Sequence, residues 1–215
     1  MRHVAGGVLI VVEGIGGSGK STLCASLADA VERSGWTVRR TREPGGTHLG
    51  TDLRRILLTD SAVAPWAEAF LFEADRAQSF AEVIEPALIE GHVVVSDRGP
   101  FGTVAYQGHG RGLDVDLINQ MSLAAWRGRR ADLVLVVDIE PATAMRRKRG
   151  APETDRFDEE ALEFQGRVRA GYLAAATQFG ERALVLDGNL PAEELLRAAS
   201  SKASNLLAAL PSTQI

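Results

Sequence analysis

The sequence predicts an α/β domain in which a five-stranded parallel sheet is covered by helices on both faces. Short, wholly apolar runs alternate with longer segments whose apolar residues recur at helical spacing. Strands that are apolar on both faces are typical of a parallel sheet buried on both sides. The 215 residues suit one large domain or two small ones, and no linker, repeat or low-complexity run divides them. The sequence therefore predicts a single domain over residues 1–215.

Five apolar segments are predicted as strands, and helices fill the intervals between them. Gly35 ends the first helix, and Asp60 and Ser61 offer an N-cap to a long helix that starts near Pro65. Pro86 is expected to kink or break that helix. The predicted strands are residues 8–13, 37–41, 92–96, 133–139 and 183–186. The other predicted helices are residues 20–34, 49–58, 116–126, 141–149, 159–179 and 191–210.

Composition excludes several classes of protein. A single cysteine, Cys24, excludes an internal disulfide framework and a zinc site built on several thiolates. No apolar run approaches the roughly 18 residues needed to span a bilayer. The net charge of −4 argues against a nucleic-acid coat protein. The apolar N-terminal stretch lacks a cleavage site for export, so with its lone thiol the protein is expected in the cytoplasm.

A glycine-rich segment after the first strand matches the phosphate-binding motif G-x-x-x-x-G-K-[ST] in the required strand–loop–helix context. In such a loop, backbone N–H groups surround phosphate oxygens, the lysine reaches the β- and γ-phosphates, and the serine ligates Mg²⁺. The alternative is a glycine-rich turn without a ligand, but one of only three lysines, against 21 arginines, falls here. The predicted ATP-binding residues of the loop are Gly14, Ile15, Gly16, Gly17, Ser18, Gly19, Lys20, Ser21 and Thr22.

Two further segments place polar groups at strand ends, where substrates bind in such sheets. Residues 41–47, with Glu43 and Pro44, follow the second strand, and a plain Pro-Gly-Gly turn is the alternative interpretation. Asp97 and Arg98 end the third strand. The carboxylate of Asp97 can complete a Mg²⁺ shell near Ser21, and Arg98 can grip a phosphate bidentately. A surface ion pair is the alternative for these two residues.

A third segment pairs an aromatic ring with a guanidinium. Phe72 and Arg76 are four residues apart and share one face of the predicted long helix. A stacking ring beside a planar donor suits a nucleobase. A core phenylalanine beside a solvated arginine is the alternative.

Together these motifs resemble bacterial thymidylate kinases, of the nucleoside monophosphate kinase group, over roughly residues 8–190. The resemblance implies the P-loop kinase fold, transfer of a phosphoryl group from ATP with Mg²⁺ to dTMP, and a homodimer. It implies small nucleotides as partners, without a nucleic acid or a membrane. The matching pieces are Glu13-Gly14, Gly19-Lys20-Ser21, residues 42–47, residues 71–78, Asp97-Arg98, residues 105–108, residues 155–157, residues 162–164 and residues 167–172.

The resemblance also assigns roles on the acceptor side. Phe72 would stack on the pyrimidine, and Arg76 would donate to the base O4, which favours thymine or uracil over cytosine. Arg98 would hold the acceptor 5′-phosphate, and Tyr106 would lie near the sugar and favour the 2′-deoxy form. The other predicted acceptor-binding residues are Glu43, Pro44, Gln107 and Thr103, the last at a position that contacts the base edge.

A basic segment, residues 146–158, is predicted to close over the phosphates as a lid. Family members carry a basic residue either in the phosphate loop or in the lid, and residues 15–18 include none. The lid is therefore expected to stabilise the transferring phosphoryl group through Arg149 and Arg156, with Arg146 or Arg147 flanking the adenine or the phosphates. Lys20 and Arg98 complete the predicted catalytic set. The alternative is a solvated basic face.

Two departures from the family pattern fall on the acceptor side. Gly16 stands where thymidylate kinases carry Asp or Glu near the acceptor sugar, and residues 99–102 replace an aromatic residue and a serine. One alternative is therefore a kinase for a modified or non-standard nucleoside monophosphate in a specialised biosynthetic pathway. Another is a non-catalytic, nucleotide-binding regulatory subunit. A P-loop ATPase that moves on nucleic acid fits less well, because the chain is short and acidic.

Overall fold

The computed structural model describes residues 2–59, 63–149, 156–157 and 160–214 of the chain. Five strands form one parallel sheet in the order β3-β4-β2-β5-β6, which confirms the predicted fold class. Two short terminal strands, β1 and β7, pair antiparallel in a separate two-stranded sheet that the sequence did not predict. The strands are β1 (Arg2–Val4), β2 (Val8–Glu13), β3 (Val38–Arg42), β4 (Val93–Asp97), β5 (Leu133–Asp138), β6 (Ala183–Asp187) and β7 (Ser212–Gln214).

Helices cover both faces of the five-stranded sheet. Leu9 and Val94 face a cluster that includes side chains of the middle helices, whereas Ile10 and Val12 face a cluster built with the first and last helices. The alternation along β2 explains its unbroken apolar sequence, because each face needs its own apolar side chains. The helices are α1 (Lys20–Arg33), α2 (His48–Thr59), α3 (Pro65–Ser79), α4 (Glu85–Ile89), α5 (Pro100–Thr103), α6 (Val115–Ala125), α7 (Pro141–Lys148), α8 (Leu162–Phe179) and α9 (Ala192–Ala208).

The strand register brings three strand ends to one edge of the sheet. Asp97 at the end of β4 is opposite Val12 of β2 and Arg42 of β3. Glu13, the last residue of β2, is followed directly by the predicted phosphate loop. The fold therefore gathers the predicted donor and acceptor segments at the carboxyl edge, as expected for a parallel sheet.

The prediction that Pro86 would kink or break the long helix is only partly right. A π-helical segment, Phe80–Ile84, joins α3 to α4, and Pro86 is the second residue of α4. Proline lacks an N–H and its ring crowds the preceding turn, and a π-bulge is one of the few ways a helix absorbs such a defect. The helix therefore changes its local winding and continues.

Other elements differ from the prediction in smaller ways. The segment 100–110 forms α5 and a second π-helical stretch, Val104–Gly110, which the sequence analysis did not identify. The predicted N-cap at Asp60 and Ser61 lies outside the described residues, and Ala64 is the N-cap of α3. Among the helices in the described ranges, none is long and apolar enough to cross a membrane.

Candidate nucleotide site

The phosphate loop is shaped by glycines that other residues would disrupt. Gly14, Gly17 and Gly19 all have positive φ angles, of 145°, 78° and 95°. A Cβ atom on Gly17 would lie 2.4 Å from the carbonyl oxygen of Ala144. The loop ends at the start of α1, whose first turn has no acidic residue and whose N-cap, Gly19, makes no side-chain capping bond. The N-terminus of α1 is thus arranged to receive an anion.

Not every predicted loop residue offers a side chain to a nucleotide. Ile15 is buried in the core, and the backbone N–H of Ser18 donates to the carbonyl oxygen of Ile15. The carbonyl oxygen of Gly14 accepts a hydrogen bond from Arg98. Gly14, Ile15 and Ser18 do not line the cavity that the rest of the loop faces, so their contacts with ATP stay predictions.

The surroundings of Lys20 disfavour the charged form of its side chain. Burial is the largest cause that lowers the pKa of Lys20, to about 8; Arg98 lowers it further, and Asp97 opposes the shift. Lys20, Ser21 and Asp97 line the same cavity. An arriving phosphate would compensate the unfavourable burial of the ammonium group.

The residues beside Lys20 fit a magnesium ion. Asp97 Oδ1 is buried and has no hydrogen-bond partner among the described residues, and the hydroxyl of Ser21 lines the same cavity. Mg²⁺ prefers such oxygen donors and is commonly held by one or two protein ligands together with substrate phosphates. Within the described part of the chain there is no cluster of three His, Cys, Asp or Glu residues that could hold a metal without a substrate.

One cavity of about 930 Å³ joins the phosphate loop to the predicted acceptor segments. Its size matches the upper range of small-molecule sites. Most of the predicted site residues line it. They are Gly16, Gly17, Gly19, Lys20, Ser21, Thr22, Glu43, Pro44, Phe72, Arg76, Asp97, Arg98, Thr103, Tyr106 and Gln107.

Arg76 lies at the deep end of the cavity in a network of buried hydrogen bonds. Its Nε donates to Glu43 Oε2 at 2.9 Å, and its Nη1 donates to Glu73 Oε1 at 2.5 Å and to Thr103 Oγ1 at 3.0 Å. Its Nη2 donates to the carbonyl oxygen of Gly99 at 3.0 Å. Two carboxylates offset the buried guanidinium charge and fix its plane.

Arg98 is held between the end of β4 and the phosphate loop. Its φ of 78° is unusual for a residue with a side chain, and its backbone N–H donates to the carbonyl oxygen of Val12. The guanidinium donates to the hydroxyl of Tyr172 at 2.7 Å and to the carbonyl oxygen of Gly14 at 3.2 Å, and it lies 5.4 Å from the ring centroid of Tyr106. A positive φ at a residue with a side chain is strained, and such backbone strain is concentrated at functional sites.

A buried acid lies next to both arginines. Glu13 is fully buried, and burial raises its pKa to about 8 although Arg98 and Arg76 both lower it. Its Oε1 accepts a hydrogen bond from the backbone N–H of Gly102 at 3.2 Å. The sequence contains a signal for this buried acid, because Glu13 is the one acidic residue in an otherwise apolar strand.

Aromatic rings form the mouth of the acceptor side. Phe72 is half-buried, and its ring centroid lies 6.1 Å from that of Phe157. Tyr106 packs edge-on against Phe157 at 5.3 Å and against Tyr172 at 6.2 Å. Gln107 lines the cavity, while its Nε2 donates to Glu68 at 2.7 Å.

The predicted lid arginines lie outside the cavity lining. Arg146 is exposed and donates to Thr143 Oγ1, and Arg149 is exposed at the C-cap of α7. Arg156 donates to Glu68 and to the carbonyl oxygen of Leu57. The rest of the predicted lid, residues 150–155 and residue 158, falls outside the described part of the chain. The catalytic roles of Arg149 and Arg156 remain predictions.

Several residues that line the cavity were not predicted as site residues from the sequence. Arg54 and Arg55 belong to α2, where an amphipathic pattern gives no reason to single out two arginines on the polar face. Glu68 acts on the site only through other side chains and belongs to no motif. Tyr172, which contacts Arg98, ends the matching piece 167–172 but was not predicted as a site residue. Five lining residues lie outside every segment that was singled out: Thr51, Arg54, Arg55, Leu58 and Thr59. Five others lie inside such segments but were not predicted as site residues: Arg42, Gly99, Gly102, Lys148 and Phe157.

The fold and the site together define the class of protein to which the chain belongs. A five-stranded parallel sheet with a phosphate loop at its carboxyl edge, opening into an arginine-lined cavity, is the P-loop nucleoside monophosphate kinase fold. A sequence model described as thymidylate kinase matches residues 12–199. The chain therefore belongs to the thymidylate kinase family.

Curated relatives and a solved structure agree with this assignment. The chain is 45% identical over 186 residues to a thymidylate kinase of Pelotomaculum thermopropionicum, covering 85% of this chain and 86% of the relative. It is 47% identical over 189 residues to one of Solidesulfovibrio magneticus, covering 84% and 90%. A crystal structure of thymidylate kinase from Ehrlichia chaffeensis is similar with a TM-score of 0.73 at 27% identity, covering 94% of this chain and 98% of that one.

Proposed function

We propose that this chain transfers the γ-phosphoryl group of ATP to the 5′-phosphate of dTMP, which yields dTDP and ADP. One observation carries the proposal: a single cavity has the phosphate loop on one side and Phe72, Arg76 and Arg98 on the other. The thymidylate kinase relatives support the same reaction. Two nucleotides bound in one cavity would place the reacting phosphates close together, which is a large part of phosphoryl-transfer catalysis.

On the donor side, backbone N–H groups between residues 16 and 22 would hold the α- and β-phosphates of ATP, apart from the N–H of Ser18, which donates to the carbonyl oxygen of Ile15. Lys20 would contact the β- and γ-phosphates as a compact charge. Mg²⁺ would arrive with ATP, and the free Oδ1 of Asp97 and the hydroxyl of Ser21 suit its ligand shell. When bound, the ion would neutralise charge that develops between the β- and γ-phosphates.

On the acceptor side, Phe72 would stack on the pyrimidine and Arg76 would recognise its O4. The guanidinium of Arg76 still has one Nη2 hydrogen without an acceptor among the described residues, because that nitrogen makes one hydrogen bond, to Gly99. The carbonyl O4 of thymine can accept from that hydrogen, whereas the amino group of cytosine is itself a donor. A cytosine would leave both donors unpaired in a buried site, which is costly.

Arg98 would hold the acceptor 5′-phosphate and stabilise charge on the transferring phosphoryl group. Arg149, brought in from the C-cap of α7, would add positive charge to that group. The acceptor phosphate is already an anionic nucleophile, so the reaction needs no general base.

Steady-state kinetics over a panel of nucleoside monophosphates tests the proposal. Coupled ADP release would be measured with dTMP, dUMP, dCMP, UMP and base-modified or sugar-modified analogues. The proposal expects the highest kcat/KM for dTMP. A higher kcat/KM for a modified nucleotide would favour the alternative acceptor. The absence of ADP formation with every monophosphate would favour a non-catalytic subunit.

A homodimer in the cytoplasm completes the proposal. Helices α3 and α6 are neighbours, as the hydrogen bond from Arg76 to Ser122 shows. Trp66 and Phe70 lie together and exposed on α3, and Leu117 is exposed on α6. Exposed apolar patches of this kind mark association surfaces. Sedimentation of the wild type as a dimer and of the F70E variant as a monomer would support this face. The single buried thiol, Cys24, suits a reducing compartment.

A further inference from the structure

A buried carboxylate outside the predicted site holds part of the predicted lid. Glu68 belongs to the first turn of α3 and is fully buried. Its Oε1 accepts from Gln107 Nε2 at 2.7 Å and from Arg111 Nε at 3.3 Å. Its Oε2 accepts from Arg156 Nη2 at 2.6 Å, and Arg156 Nε donates to the carbonyl oxygen of Leu57 at 2.6 Å. Among the arginine contacts of Glu68, the one to Arg156 is therefore the shortest.

The docked arginine fixes the residue that follows it. The Arg156 guanidinium carbon lies 4.4 Å from the ring centroid of Phe157, and the carbonyl oxygen of Phe157 accepts a hydrogen bond from Gln165. Phe157 is 6% exposed and lines the cavity, where its ring meets Phe72 and Tyr106. Phe157 thus closes the aromatic mouth of the acceptor side.

Helix geometry explains why the contact of Glu68 with Arg156 also places the ring of Phe157 near Phe72. Glu68, Phe72 and Arg76 are spaced by four residues and therefore lie along one face of α3. This face presents Arg76 at the deep end of the cavity, Phe72 at its mouth and Glu68 just outside. Arg156, which contacts Glu68, consequently places the next residue, Phe157, against Phe72.

We propose that Glu68 is a positioning residue, which docks Arg156 and thereby seats Phe157 over the acceptor base. This inference rests on the proposed function for its substrate, but not for its geometry. It also gives Arg156 a role other than contact with the transferring phosphoryl group. In this role Arg156 determines acceptor affinity, and its charge is satisfied by Glu68.

Limited proteolysis of the full chain without nucleotide tests the docking directly. Trypsin must take the Arg156 side chain into its own specificity pocket, so docking protects the peptide bond between Arg156 and Phe157. In E68Q the fragment that begins at Phe157, followed by mass spectrometry, should appear at least about fivefold faster than in wild type. E160Q is the matched control, because Glu160 contacts Arg111 and has no contact with Arg156 in the described structure.

A second variant keeps the test informative if E68Q does not fold. R156K retains a positive charge and a trypsin site but loses the planar fork that reaches both Glu68 and Leu57. The proposal expects faster cleavage after residue 156 in R156K as well, with a melting temperature near that of wild type. If E68Q folds, wild-type cleavage rates in both variants would overturn the proposal. If E68Q does not fold, a wild-type cleavage rate in R156K alone would overturn it.

Kinetics separates the positioning role from a catalytic or a purely structural one. In E68Q and R156A the acceptor KM should rise about tenfold while kcat and the ATP KM change less than about threefold. The double variant should be no worse than the worse single variant, because both remove the same docking contact. A fall in R156A kcat at unchanged acceptor KM would return Arg156 to the phosphates and overturn the proposal. If wild type phosphorylates no monophosphate, the proposed function fails, and proteolysis alone decides on the docking.

Discussion

The two halves of the cavity are built from different parts of the chain. The donor half is one contiguous loop, residues 14–22, shaped by three glycines with positive φ. The acceptor half centres on Arg76, whose hydrogen-bond partners Glu43, Thr103 and Ser122 lie 27 to 46 residues away in sequence. Backbone groups serve the first half, and buried side-chain charges serve the second. A side chain of the donor half is therefore expected to be removable without loss of the fold, whereas the acceptor half couples function to packing.

Lys20→Ala should give the largest loss of activity, about 10³-fold or more in kcat, because its charge is used mainly as the γ-phosphoryl group departs. The melting temperature should stay within a few degrees of wild type, since the variant removes a cation whose burial is unfavourable. Turnover with dTMP and thermal unfolding would be measured on the same preparation. Near-normal turnover would sink the assignment of the phosphate loop.

Arg98→Ala should raise the acceptor KM and lower kcat, together by about 10²-fold in kcat/KM, with the ATP KM changed less than about twofold. It removes hydrogen bonds to Tyr172 and Gly14, so the melting temperature should also fall. This combined loss is the expected signature of the acceptor half. A variant with normal acceptor kinetics would remove Arg98 from the site.

The pH dependence of ATP use should report Lys20. The pKa of Lys20 is lowered to about 8, so the side chain is charged below this pH and loses its charge as the pH rises through it. The kcat/KM for ATP, which reflects the free enzyme, should therefore fall about tenfold per pH unit above 8. With ATP saturating, bound phosphates stabilise the ammonium form, so the bend in kcat should move to higher pH. A flat kcat/KM profile up to pH 9.5 would contradict the lowered pKa.

The sequence revealed the donor half more completely than the acceptor half, for a physical reason. Phosphate binding by backbone N–H groups requires glycines at fixed spacings, so the phosphate loop from Gly14 to Ser21 can be recognised from one contiguous segment of the sequence. Apolar strands and helical spacing likewise predicted the sheet, because they depend on local period and burial. Arg76 and Phe72 were identified as a pair from helical spacing alone.

Long-range arrangements left weaker signals. Glu68 acts through side chains that are distant in sequence and belongs to no local pattern. Tyr172 lies in a segment that matches the family, but its contact with Arg98 is not visible from the sequence. The π-helical segments at Phe80–Ile84 and Val104–Gly110 change the winding of helices without a composition of their own. The pairing of β1 with β7 joins the two ends of the chain, which periodicity within either end does not predict.

Tyr172→Phe should have a smaller effect than loss of Arg98 and sharpens the view of the acceptor half. The Tyr172 hydroxyl accepts from Arg98 at 2.7 Å, and burial raises the pKa of Tyr172, so the hydroxyl stays neutral. Loss of one charge-assisted hydrogen bond, about 1.5 kcal/mol, corresponds to about a tenfold rise in the Kd for dTMP. Isothermal titration with dTMP would measure it. An unchanged affinity would show that Gly14 and Tyr106 suffice to hold Arg98.

Gly16→Asp should have the smallest effect and tests where the two halves meet. Unlike its neighbours Gly14, Gly17 and Gly19, Gly16 is not among the glycines with positive φ, so a side chain is compatible with its backbone. The family resemblance implies an acid here, near the acceptor sugar, and one added hydrogen bond of about 1 kcal/mol should lower the dTMP KM about fivefold. Gly16→Asn is the uncharged control, and a 3′-deoxy acceptor should show no gain. A dTMP KM that stays the same or rises in Gly16→Asp would mean that the loop at residue 16 contributes nothing to the acceptor, and that the donor half ends at the phosphates.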